Sequence, residues 1–415
     1  MATSSWRPAI IGLVALACGH PQIRPAPASP NPPPAVVAGY LASWKVRPDG
    51  PRISDIPAAG LTHLIYAFGE ISSEGLAKLA DPCADAGICD RSGTSPGSFG
   101  GNFGELAKLK QANPHLRISI ALGGWTGSTY FSAAAANTEA RMRFVQSVVD
   151  VFLRPYPGLF DGVDIDWEYP VAGGQAGNLN RPADRENFTL MITELRRKLG
   201  ELFSAQGRQF ELTIAISPDV EKLANLELAA LARQVDWLNL MTYDYCAGSG
   251  LAGFNAPLFA GKGDPNRNNN VDASVKALLR SGVPPQKVAL GLPFYGRALG
   301  GVAGKNNGRF QQGLSEASEA WGGADGIDYR DLAARRPEDL GFHRFWDAEA
   351  QVPWLYDPDR LIWISYDDPT SIAQKTRYAR AHGLRGVMIW DLLADNGSLL
   401  PAIQQSAAQP ASEKQ

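Results

Sequence analysis

Near its centre the chain reads Phe160-Asp161-Gly162-Val163-Asp164-Ile165-Asp166-Trp167-Glu168-Tyr169-Pro170. Asp164, Asp166 and Glu168 stand at every second position, and side chains on a β-strand alternate between its two faces. These three carboxyl groups, which we call the acid ladder, are therefore predicted to share one face of a strand. Like charges this close raise the pKa of at least one member, and a carboxyl kept protonated near neutral pH can act as a general acid. Buried acids without a use are costly, so the ladder predicts a functional site. Asp161 lies out of phase with the ladder and is expected to serve the turn before the strand.

Short apolar, β-branched runs recur on both sides of this strand, and segments with helical spacing of apolar residues separate most of them. The predicted strands are Val36–Ser43, Leu61–Phe68, Ile118–Gly123, Gly162–Glu168, Glu211–Ser217, Val235–Tyr243, Lys287–Phe294 and Gly386–Asp391. The helical segments include Arg141–Leu153, Arg185–Phe203, Asp272–Ser281 and Ser371–His382. Strands that are nearly continuous apolar runs and alternate with helices are typical of a buried parallel sheet. The pattern predicts an α/β fold, a (β/α)8 TIM barrel.

Two longer segments interrupt the regular spacing. Residues 77–103 are predicted to form a Gly- and Ser-rich loop, whereas residues 297–362 are too long for a bare loop. Their aromatic residues predict a small α+β insertion subdomain between the seventh and eighth strands: Phe310, Tyr329, Phe342, Phe345, Trp346, Trp354 and Tyr356. The barrel would then comprise residues 36–296 and 363–405, followed by a C-terminal tail at 406–415. Because the insertion begins where a strand leaves the barrel, it is expected to wall one side of the catalytic face.

The composition of the 415 residues is that of a globular protein, with 45% hydrophobic and 20% charged residues. A formal charge of −3 offers no electrostatic attraction for nucleic acid or an anionic membrane surface, so neither is expected as a partner. No metal site is expected. A monomer is the default expectation for the oligomeric state.

The N-terminus indicates export from the cell. Residues 1–18 combine Arg7 with an apolar stretch too short to span a bilayer, which is typical of a signal peptide. Cys18 ends this segment in a sequence that loosely resembles a lipoprotein cleavage box, so lipid anchoring at the bacterial cell envelope and plain secretion both stay open. Residues 19–35 are rich in Pro, Ala and Ser, which suits an extended linker.

The remaining three cysteines are Cys83, Cys89 and Cys246. In an exported protein the first two, which lie in one short loop, are expected to form a local disulfide. They lack the further ligands that a zinc site needs. Cys246 is predicted to be an unpaired, partly buried thiol.

Polar and aromatic residues gather at the predicted C-terminal ends of the strands, where the active sites of barrels lie. These residues are Tyr40, Phe68, Trp125, Glu168, Met241, Tyr243, Asp244, Arg297 and Trp390. Aromatic faces beside hydrogen-bonding groups suit a sugar ring, which has apolar faces and a hydroxyl edge. Taken singly, Tyr40, Met241 and Trp390 are also compatible with core packing, and Arg297 with a surface ion pair.

The spacing of the ladder also constrains the mechanism. Ordinary retaining glycosidases place two carboxyl groups about 5–5.5 Å apart on opposite sides of the scissile bond. Asp166 and Glu168 lie about 6.6 Å apart along one strand face and approach a sugar from a similar side. Asp166 is therefore poorly placed to attack the carbon that Glu168 helps to cleave. A 2-acetamido group can supply its own carbonyl oxygen instead, with Asp166 orienting it and Tyr243 hydrogen-bonded to its oxygen.

The sequence resembles the family 18 glycoside hydrolases, the chitinases. Asp161, Asp164, Asp166 and Glu168 fill that family's Asp-x-x-Asp-x-Asp-x-Glu signature. Its companions follow in family order: Gly39-Tyr40, Ala67-Phe68, Gly123-Gly124-Trp125, Met241-Thr242-Tyr243-Asp244, Tyr295-Gly296-Arg297 and Trp390. The resemblance covers roughly residues 36–403. It implies a (β/α)8 barrel with an α+β insertion, hydrolysis of β-1,4-linked N-acetylglucosamine polymers such as chitin or chito-oligosaccharides, and no cofactor.

The resemblance also implies a role for each matching residue. Glu168 resembles the acid/base, Asp166 the residue that orients the acetamido group, and Asp164 its buried partner. Tyr243 and Asp244 would hold the acetamido group, and Trp390 would form the floor under the sugar. The remaining cleft residues would be Tyr40, Phe68, Trp125, Met241 and Arg297.

One position departs from many members of the family. They have Ser where this chain has Ala121, so Asp164 must find its hydrogen bonds elsewhere, with Tyr40 as one source. Two further functions stay open beside an endo-acting chitinase. One is a non-catalytic chito-oligosaccharide-binding lectin on the same fold. The other is an endo-β-N-acetylglucosaminidase that acts on N-glycans or peptidoglycan.

Overall fold

A computed structural model describes residues 35–47, 49–89, 99–316, 321–323 and 326–408, together with Met1. The predicted signal peptide, the lipidation site at Cys18 and nearly all of the Pro-rich linker lie outside the described residues. Most of the predicted tail at 406–415 lies outside them as well. Within the described part of the chain, no helix has both the length and the apolar character needed to cross a membrane.

Eight parallel strands close into a barrel. The first strand pairs in parallel with both the second and the last, and the remaining neighbours follow in chain order. A short ninth strand extends the second strand in antiparallel fashion. The strands of this sheet are β1 Val36–Ala42, β2 His63–Ile71, β3 Ala77–Leu79, β4 Arg117–Gly123, β5 Gly162–Asp166, β6 Glu211–Ile216, β7 Trp237–Leu240, β8 Val288–Pro293 and β15 Gly386–Trp390. The predicted (β/α)8 barrel is confirmed.

Helices cover the outside of the barrel, except for α10, which belongs with the second sheet described below. The α-helices are α1 Pro82–Ala86, α2 Gly101–Ala112, α3 Gly124–Gly127, α4 Phe131–Ala135, α5 Thr138–Val148, α6 Asp184–Gln206, α7 Val220–Ala224, α8 Leu228–Gln234, α9 Val271–Arg280, α10 Tyr329–Ala334, α11 Pro369–Ala381 and α12 Leu399–Ala408. A π-helical turn at Val149–Leu153 continues α5, and a 3₁₀ turn at Ser43–Lys45 follows β1. Asp or Asn side chains cap the N-termini of α1, α5, α7, α9 and α11. The Asp368 carboxylate, for example, accepts hydrogen bonds from the backbone N–H groups of Thr370 and Ser371.

Alternation along the strands divides the apolar residues into two cores. The strand side chains that point outward face the helices and form the main core, which includes Leu64, Ile120, Val163 and Leu290. Those that point inward face the barrel interior, where small residues such as Ala38, Ala121 and Ala289 leave room for Tyr40 and Trp237. This inner set leads upward to the C-terminal rim of the barrel, so the interior packing positions the residues at the candidate site.

The segment of the chain between β8 and α11 forms a second, antiparallel sheet. Its strands are β9 Tyr295–Gly300, β10 Ser315–Glu316, β11 Ile327–Asp328, β12 His343–Asp347, β13 Val352–Asp357 and β14 Ile362–Ser365. Together with α10 it forms an α+β unit with aromatic cores around Trp321 and Trp354. The sheet starts two residues after β8, so its first strand and the barrel rim are joined directly.

Several element boundaries differ from the sequence predictions. The fourth barrel strand ends at Asp166, and the sixth, β7, ends at Leu240. After Leu240 the chain turns through two tight hydrogen bonds, from Thr242 N–H to the Leu240 carbonyl at 2.8 Å and from Tyr243 N–H to the Met241 carbonyl at 2.7 Å. Glu168, Met241, Tyr243 and Asp244 are therefore rim residues beyond the strands, where the sequence predicted strand ends. The predicted loop at 77–103 contains β3, α1 and the start of α2.

Candidate active site

The acid ladder runs from the barrel interior to its rim. Asp164 on β5 is completely buried, Asp166 at the end of the strand is 3% exposed, and Glu168 beyond it is partly exposed. Asp164 and Asp166 therefore occupy two depths of one strand face, as alternation requires. Oδ1 of Asp166 is buried and has no hydrogen-bond partner among the described residues. The ladder thus presents an unpaired carboxylate oxygen below a more accessible carboxyl group.

Asp164 is held by groups from three other strands. The hydroxyl of Tyr40 on β1 donates to Oδ2 at 2.7 Å, and the amide of Asn239 on β7 donates to Oδ1 at 3.1 Å. The hydroxyl of Thr213 on β6 also donates to Oδ1. Ala121 and Thr213 are the parallel-sheet partners of Asp164 on its two sides. The hydroxyl that Ala121 lacks is therefore supplied by the neighbouring strand on the opposite side, in addition to Tyr40.

Burial raises the pKa of all three acids. The pKa of Asp166 is raised well above its ordinary value by burial and by the negative charges of Glu168 and Asp164. Burial likewise raises the pKa of Asp164, against the three hydrogen bonds that stabilise its charged form. Burial, with a contribution from the charge of Asp244, raises the pKa of Glu168 to about 7, while Tyr169 and Lys222 act in the opposite direction. Near pH 7 a substantial fraction of Glu168 therefore carries a proton.

The backbone of Glu168 is fixed by neighbours on two loops. Its N–H donates to Oγ of Ser128 at 2.8 Å, and its carbonyl accepts from Nδ2 of Asn178 at 2.9 Å. A Cβ at Gly174 would lie 2.1 Å from the same carbonyl oxygen, which explains why glycine stands there. The Glu168–Tyr169 peptide bond is cis. The position of the rim carboxyl is thus set by packed backbone groups.

Gly123 and Gly124 bring the loop after β4 close to the acid ladder. Both have positive φ, 108° and 77°, which disfavours any residue with a Cβ. A Cβ at Gly123 would lie 2.2 Å from the Asp166 carbonyl oxygen, and one at Gly124 would lie 2.5 Å from the Phe68 ring. The Gly-Gly pair is therefore required by close approach to two predicted site residues. Trp125 follows in α3, is 50% exposed, and stacks on no aromatic ring of the described chain.

Tyr243 and Asp244 occupy the turn after β7. Tyr243 is 7% exposed, and its pKa is raised well above its ordinary value by burial, so the phenol keeps its proton. Asp244 has a φ of 61° and accepts hydrogen bonds from the Tyr295 hydroxyl at 2.7 Å and from Nε and Nη2 of Arg297, both at 2.8 Å. Its own N–H donates to Oδ1 of Asn255 at 3.1 Å. The predicted binding residues Asp244 and Arg297 thus form one ion pair at the rim.

Three aromatic rings contact one another beside the ladder, and the centroids of Trp44 and Trp390 are 6.2 Å apart. Phe68 stacks on Trp390 with ring centroids 5.8 Å apart and on Trp44 with centroids 6.1 Å apart. We call these three residues the aromatic row. Tyr40 joins it through a tilted contact of 5.5 Å with Trp390, and Met241 is buried in the same cluster. Trp44 is 53% exposed. A row of ring faces beside carboxyl groups offers the surfaces that pyranose rings contact.

Asp161 lies apart from the ladder, as its phase predicts. Its carboxylate accepts hydrogen bonds from the side chains of Lys110 and Arg208 and from the Ile118 N–H at 2.7 Å. Burial opposes its charge, but these partners outweigh burial and lower the pKa of Asp161. This acid therefore supports the N-terminal side of the barrel.

The described cysteines behave as the sequence predicts. Cys83 and Cys89 form a disulfide, and Cys246 is unpaired and half-buried. Burial, with the nearby charge of Asp244, raises the pKa of Cys246 to about 12, so its thiol is a poor nucleophile. Within the described residues, no group of three or more His, Cys, Asp or Glu side chains is arranged to hold a metal ion.

The sequence reasoning missed several residues of the site. Asn239 and Thr213 could have been found, because strand alternation places them on the inward face with Met241 and beside Asp164. Trp44, Lys45 and Asn255 carry no such signal, since each meets the site through contacts distant in sequence. Lys45, for example, donates to Asp391, which lies 346 positions away.

A carboxyl ladder at the C-terminal rim of a (β/α)8 barrel, beside a row of aromatic rings, is an arrangement suited to glycoside hydrolysis. Comparison with known proteins agrees. The chain matches the family model of Glycosyl hydrolases family 18 over residues 36–395 and belongs to that family.

Named relatives fall within the same family. The chain is 37% identical over 401 residues to Chitinase A1 of Niallia circulans, covering 88% of this chain and 57% of that protein. Chitinase ChiA74 from Bacillus thuringiensis superposes with a TM-score of 0.82 at 32% identity, covering 92% of this chain and 71% of that chain. A family 18 N-acetylglucosaminidase from Paenibacillus barengoltzii superposes with a TM-score of 0.75 at 34% identity, covering 90% of this chain and 99% of that chain. The chain therefore spans little more than half the length of Chitinase A1.

Proposed function

We propose that this chain is an endo-acting chitinase, which hydrolyses β-1,4 linkages of N-acetylglucosamine polymers with retention of configuration. The observation that carries the proposal is the pair formed by Glu168 and Asp166. Glu168 lies at the rim with its pKa raised to about 7, and Asp166 lies below it with a buried, unpaired carboxylate oxygen. The first can donate a proton to a leaving oxygen, and the second can accept a hydrogen bond from the N–H of a substrate acetamido group.

The proposed reaction has two steps. In the first, Glu168 gives its proton to the glycosidic oxygen as the bond from that oxygen to C1 breaks. The carbonyl oxygen of the substrate's own acetamido group bonds to C1 on the opposite face and closes a ring. In the second, water attacks C1, Glu168 takes a proton from the water, and the C1–oxygen bond of that ring breaks. Two inversions leave the configuration at C1 unchanged.

The other side chains serve binding and charge in this proposal. The Tyr243 phenol, kept protonated by its raised pKa, is the donor to the acetamido oxygen. Asp244 is held by Arg297 and Tyr295 and contributes to the same pocket. Tyr40, Met241, Trp125 and the aromatic row form the cleft, with Trp390 under the sugar next to the cleaved bond.

Replacing Glu168 with Gln tests the acid/base role. We expect kcat on chitohexaose to fall by about 10²–10⁴-fold, because the amide cannot supply the proton, while chito-oligosaccharide binding persists. Glu186→Gln, on the exposed first turn of α6, is the matched control and should keep the parent rate. Turnover by Glu168→Gln at the parent rate would refute the assignment.

Two other functions remain distinct from this proposal. The lectin alternative is disfavoured because the carboxyl of Glu168 is retained and its pKa is raised to about 7. The relatives include both chitinases and an N-acetylglucosaminidase, so the polymer and the cleavage position need a direct test. A product profile on chitohexaose, an N-glycoprotein and peptidoglycan separates these activities. Internal cleavage of chitohexaose is expected. Cleavage of the N-glycoprotein or of peptidoglycan, without cleavage of chitohexaose, would instead support an endo-β-N-acetylglucosaminidase.

The N-terminal sequence supports a separate proposal on location. We infer that the protein is exported and is either secreted or anchored by a lipid on Cys18. Incorporation of a labelled fatty acid by the parent protein and its loss in Cys18→Ala are the results expected of the anchored form. Secretion of unlabelled protein would support export and would exclude lipid attachment at Cys18. The proposed monomer can be checked by light scattering of the purified enzyme.

A further inference from the structure

Lys45 is placed between three parts of the fold. It lies in the 3₁₀ turn after β1, directly after Trp44, and its ammonium group donates to two carboxylates. Oδ1 of Asp328 and Oδ2 of Asp391 both lie 2.6 Å from Nζ. Asp328 belongs to β11 of the second sheet, and Asp391 follows Trp390 at the end of β15. One cation therefore joins the first strand, the last strand and the insertion.

We call the double ion pair of Lys45 with Asp328 and Asp391 the clamp. Two residues next to the clamp in the sequence belong to the aromatic row. Trp44 precedes Lys45, and Trp390 precedes Asp391. The Asp391 carboxylate is fixed further by the Leu393 N–H, which donates to Oδ1 at 2.9 Å, and the Trp390 carbonyl accepts from the Phe294 N–H at 2.8 Å. The clamp thus anchors the backbone on which two of the three rings are carried.

The charges make the clamp sensitive to the loss of Lys45. Two carboxylates that bind one nitrogen at 2.6 Å are no more than about 5 Å apart. The Asp391 side chain is only 3% exposed, so water screens its charge poorly. Without the ammonium group the two carboxylates repel each other, and the remaining contact of Arg330 with Oδ2 of Asp328 is longer, at 3.8 Å. Separating them would move Trp390 on one side and β11 on the other.

We propose that Lys45 is a positioning residue for substrate binding: its double ion pair sets the aromatic row against the insertion, so that the rings meet the pyranose faces of an N-acetylglucosamine chain together. The inference rests on the proposed function, in which Trp390 is the floor of the sugar site. Lys45 acts through the rings and does not contact the reacting atoms. Its role is therefore expected in affinity for the chain, while the proton transfer by Glu168 is unaffected.

The test measures chitohexaose binding in the inactive Glu168→Gln background and kinetics in the active enzyme. Lys45→Met is expected to weaken chitohexaose binding by about five- to tenfold, the value of one or two misplaced aromatic contacts. The pH profile of kcat/KM should keep its shape. Lys45→Arg, which can hold both carboxylates, should recover most of the affinity. Lys78→Met, in an exposed ion pair with Glu70, is the matched control and should bind as the parent does.

A second variant separates positioning from stability. Lys45→Met combined with Asp328→Asn removes the repulsion, but it does not restore the ion pairs through which Lys45 joins the two strands. We expect its thermal stability to approach that of the parent while its binding stays weak. Parent-like affinity in this double variant, or in Lys45→Met, would overturn the inference. If the parent enzyme does not cleave chitohexaose, the proposed function fails independently of any result at Lys45.

Discussion

Glu168 and Asp161 belong to one short acidic motif, yet their carboxyl groups are driven in opposite directions. Burial raises the pKa of Glu168 to about 7, whereas the cations of Lys110 and Arg208 outweigh burial at Asp161 and lower its pKa. The difference follows from the phase of the strand, which sends Asp161 away from the ladder. One motif therefore contains a supporting acid and three acids of the site.

The charge near Glu168 gives a prediction at the residue scale. Lys222 lies 4.1 Å from the ring centroid of Tyr169, and its positive charge lowers the pKa of Glu168. Replacing Lys222 with Met removes this stabilisation of the carboxylate, so the pKa of Glu168 rises and more of the acid is protonated at a given alkaline pH. The alkaline limb of the kcat/KM profile should move to higher pH.

The matched control for this change is Lys276→Met, in an exposed ion pair with Asp272 on α9. Its profile should coincide with that of the parent enzyme. A limb that moves to lower pH in Lys222→Met would contradict the electrostatic account of Glu168.

At the scale of elements, Asp161 ties together the N-terminal ends of β4, β5 and β6. It links α2 through Lys110, the start of β4 through Ile118 and the segment before β6 through Arg208. In barrels this end contributes to stability and the opposite end to catalysis. The two ends of β5 therefore divide these tasks between Asp161 and the acid ladder.

Replacing Asp161 with Ala should lower the free energy of unfolding by about 1–3 kcal/mol, because it leaves the buried Ile118 N–H without its acceptor and removes the ion pairs of Lys110 and Arg208. The kcat/KM of the folded enzyme should change by less than about twofold, since no substrate contact is lost. The folded pKa is lowered, so the stabilisation is present above the unfolded pKa of about 3.9 and disappears as the pH falls through the folded value. Chemical denaturation at pH 7 and below pH 4 measures this difference. A loss of kcat/KM without a loss of stability would count against it.

The elements were predictable to different degrees. All eight barrel strands are recognisable because each is a buried apolar run, and the ladder is recognisable because the period of a strand is two. The end of β7 was predicted three residues late, since Met241 to Tyr243 keep the strand-like composition while the backbone turns through local hydrogen bonds. Trp44 and Lys45 could not be predicted as site residues, because their partners Trp390 and Asp391 are brought near them only by closure of the barrel.

At the scale of the whole molecule, the innermost acid depends on the closed barrel. The partners of Asp164 come from β1, β6 and β7, so no local segment can assemble its hydrogen bonds. This explains how Asp164 is supported beside Ala121, which the sequence left unresolved. The insertion is connected to the same site through β9, which carries Arg297, and through the Asp328 contact of Lys45. The site is thus a product of the complete fold.

The central claim is that the substrate's acetamido group replaces an enzyme nucleophile, with Glu168 as the proton donor. The most direct measurement compares, by proton NMR, the hydrolysis of chitohexaose and of the fully deacetylated glucosamine hexamer by the same enzyme. We predict cleavage of chitohexaose with the β-anomer formed first and no detectable cleavage of the deacetylated chain. Efficient cleavage of the glucosamine hexamer, or initial release of the α-anomer from chitohexaose, would contradict the account.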